Sequence, residues 1–412
     1  MFNKRTIPAA IAALALAGSS CTSNQHLPHT TPGTLPTRNN KVVQAQNQFA
    51  FRLFKEVLQA DQEPGNKMIS PISLYMDLSM VYNGAAGQTR SAMQEALQLQ
   101  PADTALLNTT NAALIAGLPK ADSGVTLEMA NAIWYRQDLE PLPAFLALNK
   151  AFYKATVEAA DFSNPSTTTA INDWVKEKTQ EKIPSIIEEI RPSDVMYLLN
   201  AVYFLGHWTT AFDPQRTNDR IFHPTATTAV PVPFMQREAT FHYLQNDSLQ
   251  MIELPYGQGA FSMYVLLPST HSNPQTLVRW LSPERFAALT SAMDSTKVQL
   301  YLPKWESAYL LDDLIPELTK LGMGAAFGGG ADFTAMYNSS QIQISQVIHK
   351  TYIKVDEQGT EAAAATSVGM RVTSARPITR PVMDVNRPFV YLITEKNTGS
   401  ILFLGTVHQP ES

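Results

Sequence analysis

Residues Lys354–Ser374 read KVDEQGTEAAAATSVGMRVTS, and the rest of the chain is organised around them. Thr360–Thr366 contains one charge, four consecutive alanines and no large side chain. Alanine favours helix, yet Gly359 precedes the run and Gly369 follows it, with Val368 and Val372 close by. Neither a long helix nor an ordinary core strand fits. At a period of two, one face carries Thr360, Ala362, Ala364, Thr366, Val368, Met370 and Val372, all uncharged. The other carries Glu361, Ala363, Ala365, Ser367, Gly369, Arg371 and Thr373, and so every charge between Thr360 and Thr373. That partition suits a segment able to become a strand with one buried face, although its small residues make a poor permanent core. A small-residue linker is the alternative that these residues leave open.

Six blocks spread along the chain bear on that choice. EQGTEAAAAT at Glu357–Thr366 resembles the hinge of the serpins, whose reactive loop is cleaved by a protease and then inserts into the central sheet. Asn66–Ser73 (NKMISPIS) is similar to the start of the family's N-terminal helix, and Leu199–Trp208 (LNAVYFLGHW) to one of its strands. Glu253–Tyr256 with the run to Leu267-Pro268 resembles an ELPYG…LLP hairpin, Val347–Lys350 a VxHK strand, and Asn386–Phe389 an NxPF turn. The blocks stand in family order from about Asn47 to His408. The resemblance implies an α+β serpin fold: a large central β-sheet with additional β-sheets, eight or nine helices, and an exposed reactive loop at about 358–381.

Composition sets the outer bounds. The 412 residues are 44% hydrophobic and 16% charged, enough for a large core. No low-complexity linker follows residue 45, so residues 42–412 read as a single domain. A net charge of −5 with dispersed basic residues argues against a nucleic-acid surface, and no apolar run reaches the 18 or so residues a membrane span needs. At the start, Lys4 and Arg5 precede an apolar stretch, Ile7–Gly18, that ends in small residues, so residues 1–20 read as a signal peptide. The single cysteine, Cys21, lies just behind and cannot form an internal disulfide. Its position resembles a lipobox, which implies lipidation and a membrane anchor, although leucine stands at Leu16 rather than three residues upstream. Cleavage after Ala17, leaving a free extracellular protein, is the competing reading. Residues 21–41, rich in Thr, Pro and Asn, suit a flexible tether. The expectation is an exported monomer, held in the cell envelope or released.

Coarse periodicity places helices at Val42–Leu58, from Ser70-Pro71 to Tyr82, and at Thr89–Leu99, Phe145–Tyr153, Thr168–Lys182, Pro274–Met293 and Leu310–Leu321. Strands are expected at Val125–Trp134, Met196–Phe204, several short segments of 217–268, Val298–Pro303, Ile342–Val355, Phe389–Ile393 and Ile401–Val407. Met196–Phe204 has no polar gap apart from Asn200, which reads as a strand covered on both faces.

Catalytic patterns are missing. The sequence holds no G-x-S-x-G, no H-E-x-x-H, no P-loop and no dinucleotide glycine motif. The eight histidines lack ligand spacing, so no metal or cofactor is expected, and no enzyme. The resemblance implies instead an irreversible suicide-substrate inhibitor of serine, and by extension cysteine, endopeptidases. A charged inward side chain would cost several kcal/mol to bury on insertion, and every inward position from Thr360 to Val372 is neutral. That favours an inhibitor over a non-inhibitory carrier or chaperone of the same family. The hinge comprises Glu357, Gly359, Thr360, Glu361, Ala362, Ala363, Ala364, Ala365 and Thr366.

Family register, sixteen residues past Glu357, places the reactive bond at Thr373-Ser374, which suits an elastase-like protease. Arg371-Val372 is a better trypsin-like bait, and Val372-Thr373 a third candidate; the residues do not choose among them. Arg376 and Arg380 are followed by proline and make poor bait. By the same resemblance Ser70, Ser73, Asn200 and His349 form the shutter beneath the parting strands. Trp208 belongs to the breach, where the hinge enters, and Lys304 there pairs with Glu357. Read alone, Ser70 is a helix cap, Trp208 a core aromatic, and Asn200 and His349 satisfied core polar groups.

Overall fold

The computed structural model describes residues 34–338, 342–360 and 380–411. Helix α1 (Lys41–Ala60) leads through strand β1 (Lys67–Ile69) into α2 (Pro71–Tyr82), α3 (Gly87–Ala96) and α4 (Thr104–Gly117). Strand β2 (Val125–Arg136), α5 (Pro143–Tyr153), β3 (Thr156–Ala160), α6 (Pro165–Lys178) and β4 (Met196–His207) follow. Four strands, β5 (Asn218–Phe222), β6 (Val230–Gln245), β7 (Leu249–Tyr256) and β8 (Phe261–Pro268), precede α7 (Pro274–Trp280) and α8 (Pro283–Ser291). Then come β9 (Asp294–Pro303), β10 (Trp305–Leu311), α9 (Ile315–Leu318), β11 (His349–Val355) and the two-residue β12 (Gly359–Thr360). The described chain closes with β13 (Val382–Asp384), β14 (Phe389–Glu395) and β15 (Ile401–Val407).

Two sheets organise these elements. A six-stranded sheet runs β10-β11-β12-β4-β2-β3, and a nine-stranded one runs β1-β15-β14-β8-β7-β6-β9-β13 with β5 attached to β6. Strands β8, β14 and β15 are buried at every position, which is why they read as unbroken apolar runs rather than alternating ones. Strand β4 is covered on both faces, as expected. Its Asn200 side chain points to α2, where it meets Ser73, while Leu199 points the other way into a cluster with Ile171 and Val175 of α6. Helix α2 carries apolar side chains all round because it lies in the core beneath this sheet. Helix α6 is one-sided and rides on the outer face, where Asn172 ties down the segment that follows it. Asn172 Oδ1 accepts from the N–H groups of Ile186 (2.8 Å) and Ile187 (3.1 Å).

Several elements differ from the sequence reading. Pro274–Met293 is two helices, because Ser282 caps a new one and Pro283 pushes the residue before it out of helical conformation. Leu310 and Leu311 end strand β10 instead of opening a helix; α9 spans only Ile315–Leu318 and runs into a turn at Gly322, φ 110°. Thr104–Gly117 is helical although its Thr and Asn residues hide an apolar stripe, and buried Asn108 satisfies its amide on Asn83 and Tyr153. Of Ile342–Val355 only His349–Val355 is strand. Its neighbour β10 ends opposite His349, and β4 is not paired to it, so residues 342–348 have no ladder to join. The tether reading also stops short of residue 41: Leu35 packs on the core, and Arg38 Nε donates to the Lys396 carbonyl at 2.8 Å. The signal peptide at residues 1–20, Cys21, hinge residues 361–366 and the reactive-bond candidates Arg371, Val372, Thr373 and Ser374 lie outside the described residues.

Candidate functional site: the parted strands of the six-stranded sheet

The chain turns sharply after β11. Asp356 N–H donates to the Gly359 carbonyl (2.9 Å), and Asp356 Oδ1 accepts from the N–H of Gln358 (2.9 Å). The turn delivers Gly359 and Thr360 between β11 and β4, where Thr360 stands opposite Val355 on one side and Gly206 on the other. Only glycine fits at the first of these positions. Gly359 has φ 153°, and a Cβ there would lie 1.9 Å from the Gly206 carbonyl oxygen.

A cluster of aromatic and polar groups pins this turn. Trp208 Nε1 donates to the Asp356 carbonyl (2.9 Å), the Trp208 N–H to the Gln358 carbonyl (2.8 Å), and the Phe212 N–H to the Glu357 carbonyl (2.8 Å). The Trp208 ring stacks on Tyr256 at 4.5 Å and 13°, and the Tyr256 hydroxyl meets Thr360 Oγ1 at 2.6 Å. Lys304 Nζ lies 2.9 Å from Glu357 Oε2, and the Thr217 hydroxyl donates to Glu357 Oε1 at 2.7 Å. Burial alone raises the Glu357 carboxyl, but the Thr217 hydroxyl and the Lys304 ammonium outweigh it and hold the group below the ordinary carboxylate range.

Below Thr360 the two flanking strands part company. Strand β11 pairs with β10 and β4 with β2, and β12 is the sole link between β11 and β4 among the described residues. Under the gap lies a polar layer in two pieces. The Ser70 N–H donates to His349 Nε2 at 2.9 Å, so that nitrogen is an unprotonated acceptor. Burial without a charged partner pushes His349 down to about 3. Separately, the Ser73 hydroxyl donates to Asn200 Oδ1 (2.5 Å), Asn200 Nδ2 to Asn131 Oδ1 (2.6 Å), and Asn131 Nδ2 to the Tyr153 carbonyl (2.7 Å). The relay therefore crosses from α2 through β4 and β2 to the end of α5. Farther along β4, a cavity of about 120 Å³ lies between its first residues and residues 342–348.

The structure thus gathers Ser70, Ser73, Asn200 and His349 under one gap, and Trp208, Lys304 and Glu357 at its upper end. Ser70 stands at the N-cap of α2 but makes no side-chain cap bond; its Oγ has no partner among the described residues. The backbone N–H is what it contributes. Sequence reasoning missed Asn131, Thr217 and Tyr256. Asn131 meets Asn200 through the pairing of β2 with β4, and Thr217 meets Glu357 only where the turn after β11 comes to rest beside it; of the three only Tyr256, inside the Glu253–Tyr256 block, carried a signal. Among the described residues no three His, Cys, Asp or Glu side chains come together as a metal site requires, and no helix is long and apolar enough to cross a membrane.

The described residues thus hold a sheet whose strands β11 and β4 are joined through β12 alone, at the end of a sharp turn. The sequence profile described as Serpin (serine protease inhibitor) matches residues 44–410. The chain belongs to the serpin family. It is 32% identical over 377 residues to the plasma serine protease inhibitor of Bos taurus, covering 88% of this chain and 89% of that one. The crystal structure of the thermophilic serpin tengpin in its native state superposes with a TM-score of 0.82 at 31% identity, covering 92% of this serpin and 97% of tengpin. Human thyroxine-binding globulin, crystallised with its hormone, gives a TM-score of 0.82 at 28% identity over 90% of this chain and 99% of that one. Nine helices accompany the two sheets in the described part of this serpin. Serpins as a family are directed at proteases and are not themselves enzymes.

Proposed function

We propose that this serpin is an irreversible suicide-substrate inhibitor of endopeptidases. The observation that supports the reading is the parting of two strands: two residues beyond the hinge turn are docked between β11 and β4, and below them β11 and β4 do not pair with each other among the described residues. A protease nucleophile, a serine hydroxyl or cysteine thiol, attacks the carbonyl at the reactive bond. The new ester or thioester stays on that carbonyl, and the amine of the following residue departs with the proton. Chain continuing from Thr360 in its present register then runs down the open edge of β4, carrying the acylated protease with it before water can deacylate the bond. Each residue added to the ladder contributes roughly 0.5–1.5 kcal/mol net. The uncharged inward face of the hinge keeps that gain from being spent on burying charge.

Thr373-Ser374 is the bond this reading prefers by register and Arg371-Val372 by chemistry. Incubation with a trypsin-like and an elastase-like protease, followed by SDS gels and mass spectrometry of the released C-terminal peptide, tests both. The expected result is a covalent complex with a peptide beginning at Ser374 or at Val372. Cleavage without a covalent band, for serine and cysteine proteases alike, sinks the inhibitor reading. The likeness to thyroxine-binding globulin supports the second reading, a carrier, and that outcome would favour it. For location, the N-terminal segment supports export and a lipid anchor at Cys21. The mature protein should then begin at a lipid-modified Cys21, and a free Gly18 terminus would exclude the anchor.

A further inference from the structure

One acidic side chain under the gap has no part in the mechanism above. Asp77 lies on α2 seven residues after Ser70 and four after Ser73, so all three occupy the helix face turned toward β4. Its carboxyl lines the 120 Å³ cavity, and its Oδ1 is buried with no hydrogen-bond partner among the described residues. Burial holds the carboxyl well above the ordinary carboxylate range, while the backbone N–H of Asn200 acts on it in the opposite direction.

Strand geometry says where that N–H points. Strand β4 pairs with β2 from Met196 to Gly206 without a break in register. At its upper end the Trp208 N–H goes to Gln358, and Gly206 stands opposite Thr360, both on the gap side. Backbone donors alternate between the two edges of a strand. Positions 206, 204, 202 and 200 therefore all aim their N–H groups at the gap. Asn200 presents the donor that a carbonyl of an inserted strand would take, and its N–H is the one backbone group that bears on the Asp77 carboxyl.

We infer that Asp77 is a latch on the gap, occupying the edge donor of Asn200 so that a strand can enter there only by displacing it. The inference rests on the trapping mechanism proposed above. Before insertion the contact satisfies an edge donor that would otherwise be buried unpaired. Afterwards the donor passes to the new strand, and the carboxyl is left buried without it. Both effects favour the uninserted sheet. Asp77 is thus a positioning residue: it touches neither protease nor reactive bond, and it sets how readily the sheet admits chain.

Two substitutions separate acceptor from volume. D77N keeps an acceptor oxygen in place; D77L fills the space and offers none. Each intact protein is held at elevated temperature while loss of inhibitory activity and gain of a heat-stable, loop-inserted form are followed, and the number of inhibitor molecules consumed per trapped protease is counted. D77L is expected to convert about tenfold faster, the change made by roughly one hydrogen bond, and to waste fewer molecules per trap. D77N should match the unsubstituted protein within about threefold, less than half a hydrogen bond's worth. If loop cleavage stabilises the unsubstituted protein but D77L converts at its rate, the latch is wrong and trapping stands. If cleavage brings no stabilisation, trapping fails and the latch with it. Should D77L not fold, amide exchange in the unsubstituted protein decides the matter: Asn200 should exchange at least about tenfold more slowly than Val202, two residues along the same edge, by the same hydrogen-bond reckoning. Equal rates overturn the inference.

Discussion

At the scale of single residues, the gap is lined by polar groups whose protonation is fixed by burial. His349 is the clearest, because Nε2 accepts from the Ser70 N–H and no charged group compensates a proton on the ring. Its folded pKa, about 3, lies below the ordinary value of 6.5. The unfolded chain therefore binds a proton below pH 6.5 that the native state refuses. Stability from this group is complete above 6.5 and declines as pH falls toward 3, at up to about 1.4 kcal/mol per pH unit. Glu357 is depressed too, but its loss begins only below the unfolded carboxylate value of about 4.3. Denaturant titrations at pH 7, 6 and 5 should show stability changing with pH less favourably on acidification in the unsubstituted protein than in H349Q, a difference from which the opposing contribution of the raised Asp77 carboxyl cancels; parallel slopes for the two proteins would mean that His349 titrates normally. The four expected members of this layer could be read from the sequence because each sits in a recognisable block. Asn131 could not, since only the pairing of β2 with β4 brings its amide to Asn200.

At the scale of elements, the shortest strand does the most. Strand β12 is two residues long, yet it alone joins the halves of the six-stranded sheet in the described structure. It can dock because Gly359 has no Cβ to collide with the Gly206 carbonyl. G359A must twist the turn or withdraw Thr360, breaking its contact with Tyr256, at a cost of about 1–3 kcal/mol. The expected outcome is a serpin that proteases cut more often than they are trapped by, read as more inhibitor consumed per covalent complex. An unchanged ratio would show that this docking is not the first step of insertion. The same gap explains where element reading failed. Ile342–Val355 alternates throughout, and alternation reports only that a segment could form a strand. Pairing needs a neighbour, and residues 342–348 lie beside the cavity with no strand partner among the described residues. Strand β10 was missed for a related reason: its Leu310-Leu311 end looks like the start of a helix until β11 is placed next to it.

At the scale of the whole molecule, the architecture was legible because serpin blocks recur at both sheets and both ends of the chain. What the blocks could not convey is that, among the described residues, β12 alone joins β11 to β4. On the inhibitor reading, β11 and β4, which do not pair with each other below Thr360 among the described residues, leave the intact fold short of the most stable arrangement its own strands permit. From Glu361 to Thr373 the chain holds thirteen residues able to follow Thr360 into that gap. At roughly 0.5–1.5 kcal/mol each, full insertion would add on the order of 7–20 kcal/mol before side-chain burial is counted. A domain of this size unfolds with an entropy near 0.8 kcal/mol/K, so the gain corresponds to a rise in melting temperature of about 10–25 °C. Calorimetry before and after cleavage of the loop by a protease it fails to trap measures this directly. The nicked protein, still holding its C-terminal fragment through β14 and β15 in the nine-stranded sheet, should melt well above the intact one. Loss of the fragment's hold would lower the melting point, and a gap that merely tolerates two residues would leave it unchanged. Only an upward shift shows that free energy is stored in the intact sheet, and on the inhibitor reading proposed above that stored energy is what would let this serpin outrun the hydrolysis of its own acyl-enzyme.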